Sequence, residues 1–159
     1  EDNSVKVEAM AQAAEVVVDG TNMVLGRLAS KVAKLLLEGK RVYVVNVEKI
    51  VVSGRRNMVV QAYKRTVLGV KSHYSHRWRP KRPRSPIRLF KAAVWGMLPK
   101  NNRGVKALKR LKAYIGVPEE FKEREVVRFP EADASRLSRP GVTLAIIARE
   151  LGWRGVVRP

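Results

Sequence analysis

Residues 15–47 read EVVVDGTNMVLGRLASKVAKLLLEGKRVYVVNV, and this stretch decides the fold. Its first apolar run, Glu15–Val18, ends at Asp19-Gly20 and predicts a buried strand closed by a turn. Apolar residues then recur three or four positions apart, as on one face of an amphipathic helix: Leu25, Leu28, Ala29, Val32 and Leu36. Gly39 follows them and is the predicted C-terminal cap of that helix.

A second β-branched run, Val42–Val47, predicts a second strand. Ile50–Val52 either extends this strand or re-enters the sheet before Ser53-Gly54. Strand, helix and strand in so short a stretch form a βαβ unit, and the crossover helix lets the two strands run parallel. The sequence therefore indicates an α/β fold.

Helical spacing returns over Asn57–Leu68 and over Ile87–Trp95. A further predicted helix follows Pro99, and one of its faces is mostly apolar: Gly104, Ala107, Leu108, Leu111, Tyr114 and Ile115. Four cations take the opposite face of the same helix: Arg103, Lys106, Lys109 and Arg110. Glu125–Phe129 predicts a last strand, which Pro130 ends.

The distribution of charge is the strongest functional signal in the sequence. The net charge is +19, and residues 49–118 contain 19 Lys and Arg but no Asp or Glu, so the rest of the chain is balanced. A solvated surface normally mixes both signs, and a large excess of one sign destabilises a compact chain by self-repulsion. An acid-free stretch of this length therefore indicates a face that binds phosphate groups.

The centre of that stretch, Lys71–Arg88, is predicted to be an extended basic arm. Proline recurs at every third position (Pro80, Pro83 and Pro86), which excludes a central strand or helix and suits a polyproline-like conformation. Seven cations occupy the arm, and rings able to stack on unpaired bases lie between them: His73, Tyr74, His76 and Trp78. DNA is the weaker alternative, because the arm has no recognition-helix motif, zinc-finger pattern or heptad repeat.

The two ends of the chain differ from its middle. Residues 1–14 are polar and rich in alanine, and we expect a flexible extension before a main domain at 15–130. Residues 131–159 are predicted to be a C-terminal extension, in which Thr143 caps a short helix that ends at Gly152. The apolar side of this helix is formed by Leu144, Ile147, Ala148 and Leu151. Because the helix carries charges of both signs, we expect it to dock on protein rather than on nucleic acid.

Two arrangements resemble the sites of enzymes but do not complete them. Gly20 and Gly26 lie between a predicted strand and a helix, yet their spacing and the Arg27-Leu28 that follows match neither a P-loop nor a dinucleotide-binding pattern. Arg27 could still meet a phosphate there. His73 and His76 have the spacing of half a metal site, but the neighbouring sequence supplies no further ligand, so contact with RNA is favoured over zinc.

Composition excludes other classes of protein. Cysteine is absent, so neither a disulfide framework nor a thiolate metal site is possible. The apolar runs are far shorter than a bilayer requires, and no apolar leader follows the acidic first residues. The acid-free stretch also lacks the carboxylates of acid–base or two-metal catalysis. We expect a cytoplasmic chain with no membrane contact, no catalytic residue, no metal and no cofactor.

Several motifs resemble one known family. They are Gly26–Ser30, Val45–Ile50, Ser53-Gly54, Ala93–Lys100, Gly104 and Leu111–Gly116, with an arm at Ser75–Arg84 that resembles the archaeal and eukaryotic branch. Over residues 16–118 the chain resembles the L-thirteen (uL-thirteen) family of large-subunit ribosomal proteins. It departs from the family at Trp95, where the family usually has Arg.

The resemblance implies a three-layer α/β/α fold around a small, largely parallel sheet. It also implies a structural constituent of the large ribosomal subunit that binds and organises ribosomal RNA beside neighbouring ribosomal proteins, in the cytoplasm. Neither an enzyme nor an obligate homo-oligomer is expected. A regulator that binds messenger RNA away from the ribosome is the alternative, and an RNA-processing enzyme is a third hypothesis.

The predicted RNA-binding residues are cations and rings of the acid-free stretch, together with one arginine before it. They are Arg27, Arg55, Arg56, Lys64, Arg65, Lys71, His73, His76, Arg77, Trp78, Arg79, Lys81, Arg82, Arg84, Arg88, Lys100, Arg103, Lys106 and Arg110. Phosphate contacts position a protein without reading sequence, so specificity is expected from RNA shape and unpaired bases.

Overall fold

The computed structural model of the protein describes residues 14–69 and 82–155. The strands are β1 (Glu15–Asp19), β2 (Arg41–Val45), β3 (Val51–Ser53), β4 (Leu111–Ala113), β5 (Val126–Val127) and β6 (Gly141–Thr143). The helices are α1 (Leu25–Leu37), α2 (Arg56–Val67), α3 (Pro86–Met97), α4 (Asn102–Lys109), α5 (Glu119–Lys122) and α6 (Leu144–Glu150).

Four strands form a parallel sheet in the order β4-β2-β1-β5, and β3 pairs with β6 in a separate antiparallel ribbon. β1 runs beside β2, from Glu15 opposite Arg41 to Asp19 opposite Val45, with α1 as the crossover between them. This confirms the predicted βαβ unit and the α/β class with a largely parallel sheet. The strand predicted near Glu125–Phe129 is present as the short edge strand β5.

Ile50–Val52 does not extend β2. Asn46 adopts a left-handed conformation with φ of 54°, which ends the strand and turns the chain into a 3-10 turn at Val47–Lys49. Asparagine tolerates this region better than most residues, because its short side chain can hydrogen-bond locally. The chain then continues as β3 in the separate two-stranded ribbon, so Ile50–Val52 neither extends β2 nor re-enters its sheet, and the prediction is wrong on this point.

The two faces of the parallel sheet are covered unequally. On one face, alternate residues of β1, β2 and β4 join the main core beneath α1, α3 and α4: Val16, Val18, Val42, Val44, Leu111 and Ala113. On the other face, Val17 and Val45 pack with Phe121 of the one-turn helix α5. Tyr43 and Tyr114 border this smaller cluster, with ring centroids 5.0 Å and 5.5 Å from that of Phe121. The helical layer on this side is therefore thin.

The helix predicted through Ile115 is wrong after Lys109. α4 stops there, and Leu111–Ala113 is a strand whose residues pair with Val42–Val44. The main-chain N–H of Tyr114 donates to the carbonyl of Val44 at 2.8 Å, so the segment takes its hydrogen bonds from the sheet. Leu111 fits the helical period of α4 and also an alternating period with Ala113, and pairing with β2 decides between them.

The predicted arm, Lys71–Arg88, wrongly includes helical residues at its C-terminal end. Pro86–Arg88 is the first turn of α3, with Pro86 at the first helical position, where its fixed φ suits a helix and its missing N–H is not needed. The Ser85 hydroxyl caps this turn by accepting from the Arg88 N–H at 3.3 Å. Residues 71–81 of the predicted arm lie outside the described residues.

The C-terminal segment is part of the main core. β6 pairs with β3, and α6 buries Leu144, Ile147 and Ala148 completely, with Leu151 only 2% exposed. This confirms that the helix docks on protein, and Gly152 ends it with φ of 92°. The Thr143 side chain forms no capping hydrogen bond; the N–H of Leu144 donates instead to the Ile50 carbonyl at 2.8 Å. Residues on both sides of the predicted 130/131 boundary therefore share one core.

Candidate nucleic-acid interface

The predicted RNA-binding residues that the structure describes lie mainly on the surface. Ten are exposed: Arg27, Arg55, Arg56, Arg65, Arg82, Arg84, Arg88, Lys100, Arg103 and Lys106. Lys64 and Arg110 are half-buried. The other seven fall outside the described residues: Lys71, His73, His76, Arg77, Trp78, Arg79 and Lys81.

Arginines occupy the N-terminal turns of the four longest helices that the structure describes. None of α1 to α4 has an acidic residue in its first turn. The arginines at these starts are Arg27 in α1, Arg55 and Arg56 in α2, Arg88 in α3 and Arg103 in α4. A helix N-terminus carries partial positive charge and favours carboxylates, so cations there are unfavourable unless an anion is added. The starts of α1 and α2 have no side-chain cap, so their first N–H groups beside a guanidinium form a suitable environment for phosphate, whereas Ser85 and Asn101 cap the starts of α3 and α4.

Three carboxylates near this surface are already neutralised or hidden by the protein. Glu150 of α6 accepts hydrogen bonds from Lys64 at 2.9 Å and Arg56 at 3.3 Å. The hydrogen bond from Lys64, more than any other contact, lowers the pKa of Glu150 below its usual range. Glu131 pairs with Lys31, and Glu48 is only 1% exposed, with both oxygens facing the Gly116 N–H.

Several exposed cations contrast with these pairs because they form no ion pair with a carboxylate in the part of the chain that the structure describes. They are Arg27, Arg55, Arg65, Arg82, Arg84, Arg88, Lys106 and Lys109. All but Arg27 belong to the acid-free stretch. Unpaired guanidinium and ammonium groups remain available to an external polyanion.

The opposite side of the sheet carries charges of both signs. Glu119, Glu120 and Glu123 are exposed on and just after α5, the helix that covers the smaller core cluster, and Lys122 and Arg124 lie exposed among them. The cations of α2, α3 and α4 lie on helices that belong to the main-core face. The cations of these three helices therefore give the main-core side an excess of positive charge, which favours contact with a polyanion there.

Two predicted RNA contacts also stabilise the fold. The Arg110 guanidinium donates to the Leu36 carbonyl at 2.7 Å, and Arg103 donates more weakly to the Leu37 carbonyl at 3.4 Å. These carbonyls belong to the last turn of α1, which carries partial negative charge, and the Leu36 carbonyl also accepts from the Gly39 N–H at 3.1 Å. Sequence reasoning missed this role, because the two partners are 66 and 74 positions away.

Trp95 and Lys100 contact each other at the turn that follows α3. The Lys100 ammonium lies 3.8 Å from the centre of the Trp95 ring and donates to the Trp95 carbonyl. The ring is half-buried and packs against the core. Where the resemblance implies a cation, this chain therefore has an aromatic side chain that holds a cation from a neighbouring position.

The carboxyl edge of the sheet, where α/β enzymes commonly bind ligands at a reversal of strand order, is filled by internal contacts. β5 and β2 flank β1 there, and Asp19 accepts hydrogen bonds from the Thr21 N–H and hydroxyl and from Asn46. Arg128 donates to the Thr21 carbonyl at 2.9 Å. Burial raises the pKa of Asp19, but these hydrogen bonds outweigh burial and hold the pKa below its usual value.

Neither a metal cluster nor a membrane span is visible in what the structure describes. Over residues 14–69 and 82–155, no three His, Cys, Asp or Glu side chains converge as metal ligands would. No helix within these ranges is long and apolar enough to cross a bilayer.

Comparison with known proteins identifies the family. The sequence profile of the family described as Ribosomal protein L13 matches residues 13–120. The chain belongs to the ribosomal protein L13 family. This confirms the resemblance to the L-thirteen family.

Archaeal relatives of this L13-family chain match nearly its whole length. The chain is 66% identical to the "Large ribosomal subunit protein uL13" of Aeropyrum pernix over 150 residues, which cover 94% of this chain and 97% of the relative. Identity to the protein of the same name from Saccharolobus solfataricus is 45%, covering 88% and 94% of the two chains. Identity to the protein of the same name from Archaeoglobus fulgidus is 44%, and the match covers 88% of this chain and 89% of the relative. These matches extend beyond residues 13–120.

Proposed function

We propose that this L13-family chain is a structural constituent of the large ribosomal subunit, where it binds and organises ribosomal RNA. One observation carries the proposal: arginines at the starts of four helices lie exposed while nearby carboxylates are paired or buried. The names of the archaeal relatives support the ribosomal location. The partners are large-subunit ribosomal RNA and neighbouring ribosomal proteins, in the cytoplasmic ribosome.

The α/β domain serves as a rigid platform for these contacts. Arg82 and Arg84 precede α3, Arg88 lies in its first turn, and Arg55 and Arg65 lie near opposite ends of α2. Each guanidinium can bind a phosphate through two hydrogen bonds, and the start of α2, which no side chain caps, can add main-chain N–H donors. Such contacts fix position and orientation on folded RNA without reading its sequence.

The proposed role is not enzymatic. At the carboxyl edge of the sheet, Asp19 accepts hydrogen bonds from Thr21 and Asn46, and Arg128 donates to the Thr21 carbonyl. A catalytic acid or base needs to reach the substrate atom that it protonates or deprotonates. The acid-free surface supplies charge and donors, which serve binding.

The salt dependence of RNA binding tests the proposal. Replacing Arg82, Arg84 and Arg88 with Ala should flatten the slope of log affinity against log salt by about two to three units, since each phosphate contact contributes roughly 0.7 to 0.9. The matched control replaces Lys122, Arg136 and Arg139, which are exposed cations outside the acid-free stretch, and removes the same charge. This control should leave the slope nearly unchanged.

Co-sedimentation with large subunits in moderate salt completes the test. Wild-type protein and the control should sediment with the subunits, whereas the arginine variant should remain largely free. If wild-type protein did not sediment with the subunits and bound messenger RNA instead, the ribosomal role would be wrong. The alternative, a regulator that binds messenger RNA away from the ribosome, would then be favoured. If both triple variants showed the same slope of log affinity against log salt, the arginines at the start of α3 would not be principal RNA contacts.

A further inference from the structure

A groove beside α1 carries both apolar surface and cations. Its volume is about 710 Å³, and it runs between the C-terminal half of α1, the end of α3 and the start of α4. The apolar wall is formed by Ala33, Leu37 and Met97. Met97 is 45% exposed, so much of its thioether side chain is open to a ligand.

Two cations flank this apolar wall. Lys34 is exposed and forms no ion pair within the described ranges, and Arg103 uses a single N–H in its 3.4 Å contact with the Leu37 carbonyl. The other guanidinium N–H groups of Arg103 remain available, since the group has five. The groove thus combines an apolar wall with free positive charge at its rim.

The remaining polar groups of the groove are compatible with this charge. Glu38 lies at one end, but its carboxylate is 3.5 Å from the Lys40 ammonium, which compensates its charge. The Ser30 hydroxyl donates to the Arg27 carbonyl at 2.7 Å, so its oxygen can still accept a hydrogen bond from a ligand. No described group in the groove leaves an uncompensated negative charge.

We propose that this groove seats one unpaired nucleotide of RNA, with the base against Met97 and Leu37 and a phosphate between Lys34 and Arg103. A nucleotide unites a flat apolar ring with an anion, which is the complement of this surface. The thioether of methionine makes favourable contacts with aromatic rings, and unpaired bases are the part of RNA that proteins read. A purely apolar peptide would leave both cations without a partner.

The seat deepens the proposed function and rests on it. Arg103 and Lys106 are three residues apart on α4, so they are neighbours on the helix surface and continue the basic surface away from the groove. The cations elsewhere on that surface grip phosphates of any sequence. The groove would add a preference for an unstacked base at one point.

Two substitutions in the 159-residue chain test the seat. The probes are a decauridylate carrying one 4-thiouridine and a ten-base-pair RNA duplex. Met97→Ala should lower affinity for decauridylate about three- to tenfold and leave duplex affinity within about twofold. Met58→Ala is the matched control, because Met58 is 71% exposed outside the groove, and it should change neither affinity.

Lys34→Ala supplies the electrostatic part of the test. It should reduce the slope of log affinity against log salt for decauridylate by about 0.7, because one phosphate contact is lost. The matched control, Lys122→Ala, removes one positive charge on the opposite side of the sheet and should leave this slope unchanged. Irradiation of the 4-thiouridine complex should cross-link a peptide that contains Met97 or Leu37. Melting curves of all four variants should match that of wild-type protein, since every substituted side chain is exposed.

The outcomes separate the seat from the proposed function. If wild-type protein binds both probes but Met97→Ala behaves like Met58→Ala and no groove peptide is cross-linked, the seat is wrong and RNA binding stands. An equal loss for decauridylate and duplex would also overturn the seat, because a base pocket cannot hold a paired base. If wild-type protein binds neither probe at low salt, both proposals are wrong.

Discussion

Glycine is required at position 104 because the backbone at Pro99 approaches it closely. Gly104 lies in the first turn of α4, where the Asn101 side chain accepts from its N–H at 3.1 Å, and a Cβ on it would lie 1.8 Å from the Pro99 carbonyl oxygen. Gly104→Ala should therefore cost about 3 kcal/mol of unfolding free energy, since backbone must move. Urea unfolding of the wild-type protein and the variant measures this change in free energy.

Gly26 is the matched control for that substitution. It also lies in the first turn of a helix, but a Cβ there meets nothing within 4 Å. Gly26→Ala should leave stability unchanged or raise it by up to about 1 kcal/mol, because alanine loses less backbone entropy in a helix. Similar effects of both substitutions would contradict a steric role for Gly104.

Asp19 gives a prediction about pH. Its folded-state pKa lies below the usual value, so its stabilisation is fully present above the unfolded pKa and is lost as pH falls through the folded one. Asp19→Asn should cost about 1 to 2 kcal/mol at pH 7, where the ionised carboxylate accepts its hydrogen bonds. The difference between wild type and variant in urea unfolding should shrink from pH 5 towards pH 3; a constant difference would contradict this account.

At the scale of elements, Glu150 on α6 connects the C-terminal segment to the basic surface. It holds Lys64 and Arg56 of α2, two predicted RNA contacts. Glu150→Gln should free both cations and raise RNA affinity at low salt, steepening the salt slope by about one to two units. Glu131→Gln breaks the pair with Lys31, which is not a predicted contact, and should leave the slope nearly unchanged. A flatter slope for Glu150→Gln would show that the carboxylate positions the two cations for RNA.

At the scale of the whole molecule, the C-terminal segment is required for the core. Leu144, Ile147 and Ala148 are fully buried, and β6 supplies the partner of β3. Each large apolar side chain contributes about 1.5 to 3 kcal/mol on burial, against a typical total stability of about 5 to 15 kcal/mol. A chain lacking residues 136–159 should lose cooperative thermal unfolding, which circular dichroism would show. A sharp transition near the wild-type temperature would instead place an independent domain boundary at 130/131.

What the sequence alone determined follows from local chemistry. The βαβ unit was predictable because apolar spacing over Val16–Leu36 matches a strand and then a helix, and Gly39 permits the left-handed turn between α1 and β2. The apolar face of α6 was predictable for the same reason. The site was predictable as a set of cations because 49–118 has no carboxylate, and charge can be counted without coordinates.

What only the tertiary structure decided depends on contacts between distant residues. Leu111–Ala113 became a strand because the edge of β2 supplied hydrogen-bond partners, which local spacing cannot reveal. Arg110 gained a carbonyl partner in α1, and Glu150 reached across 86 positions to Lys64. Likewise, the groove exists because three helices converge on it. The sequence determined which groups carry charge, and the packing determined which of them remain free, because pairing depends on distance in space.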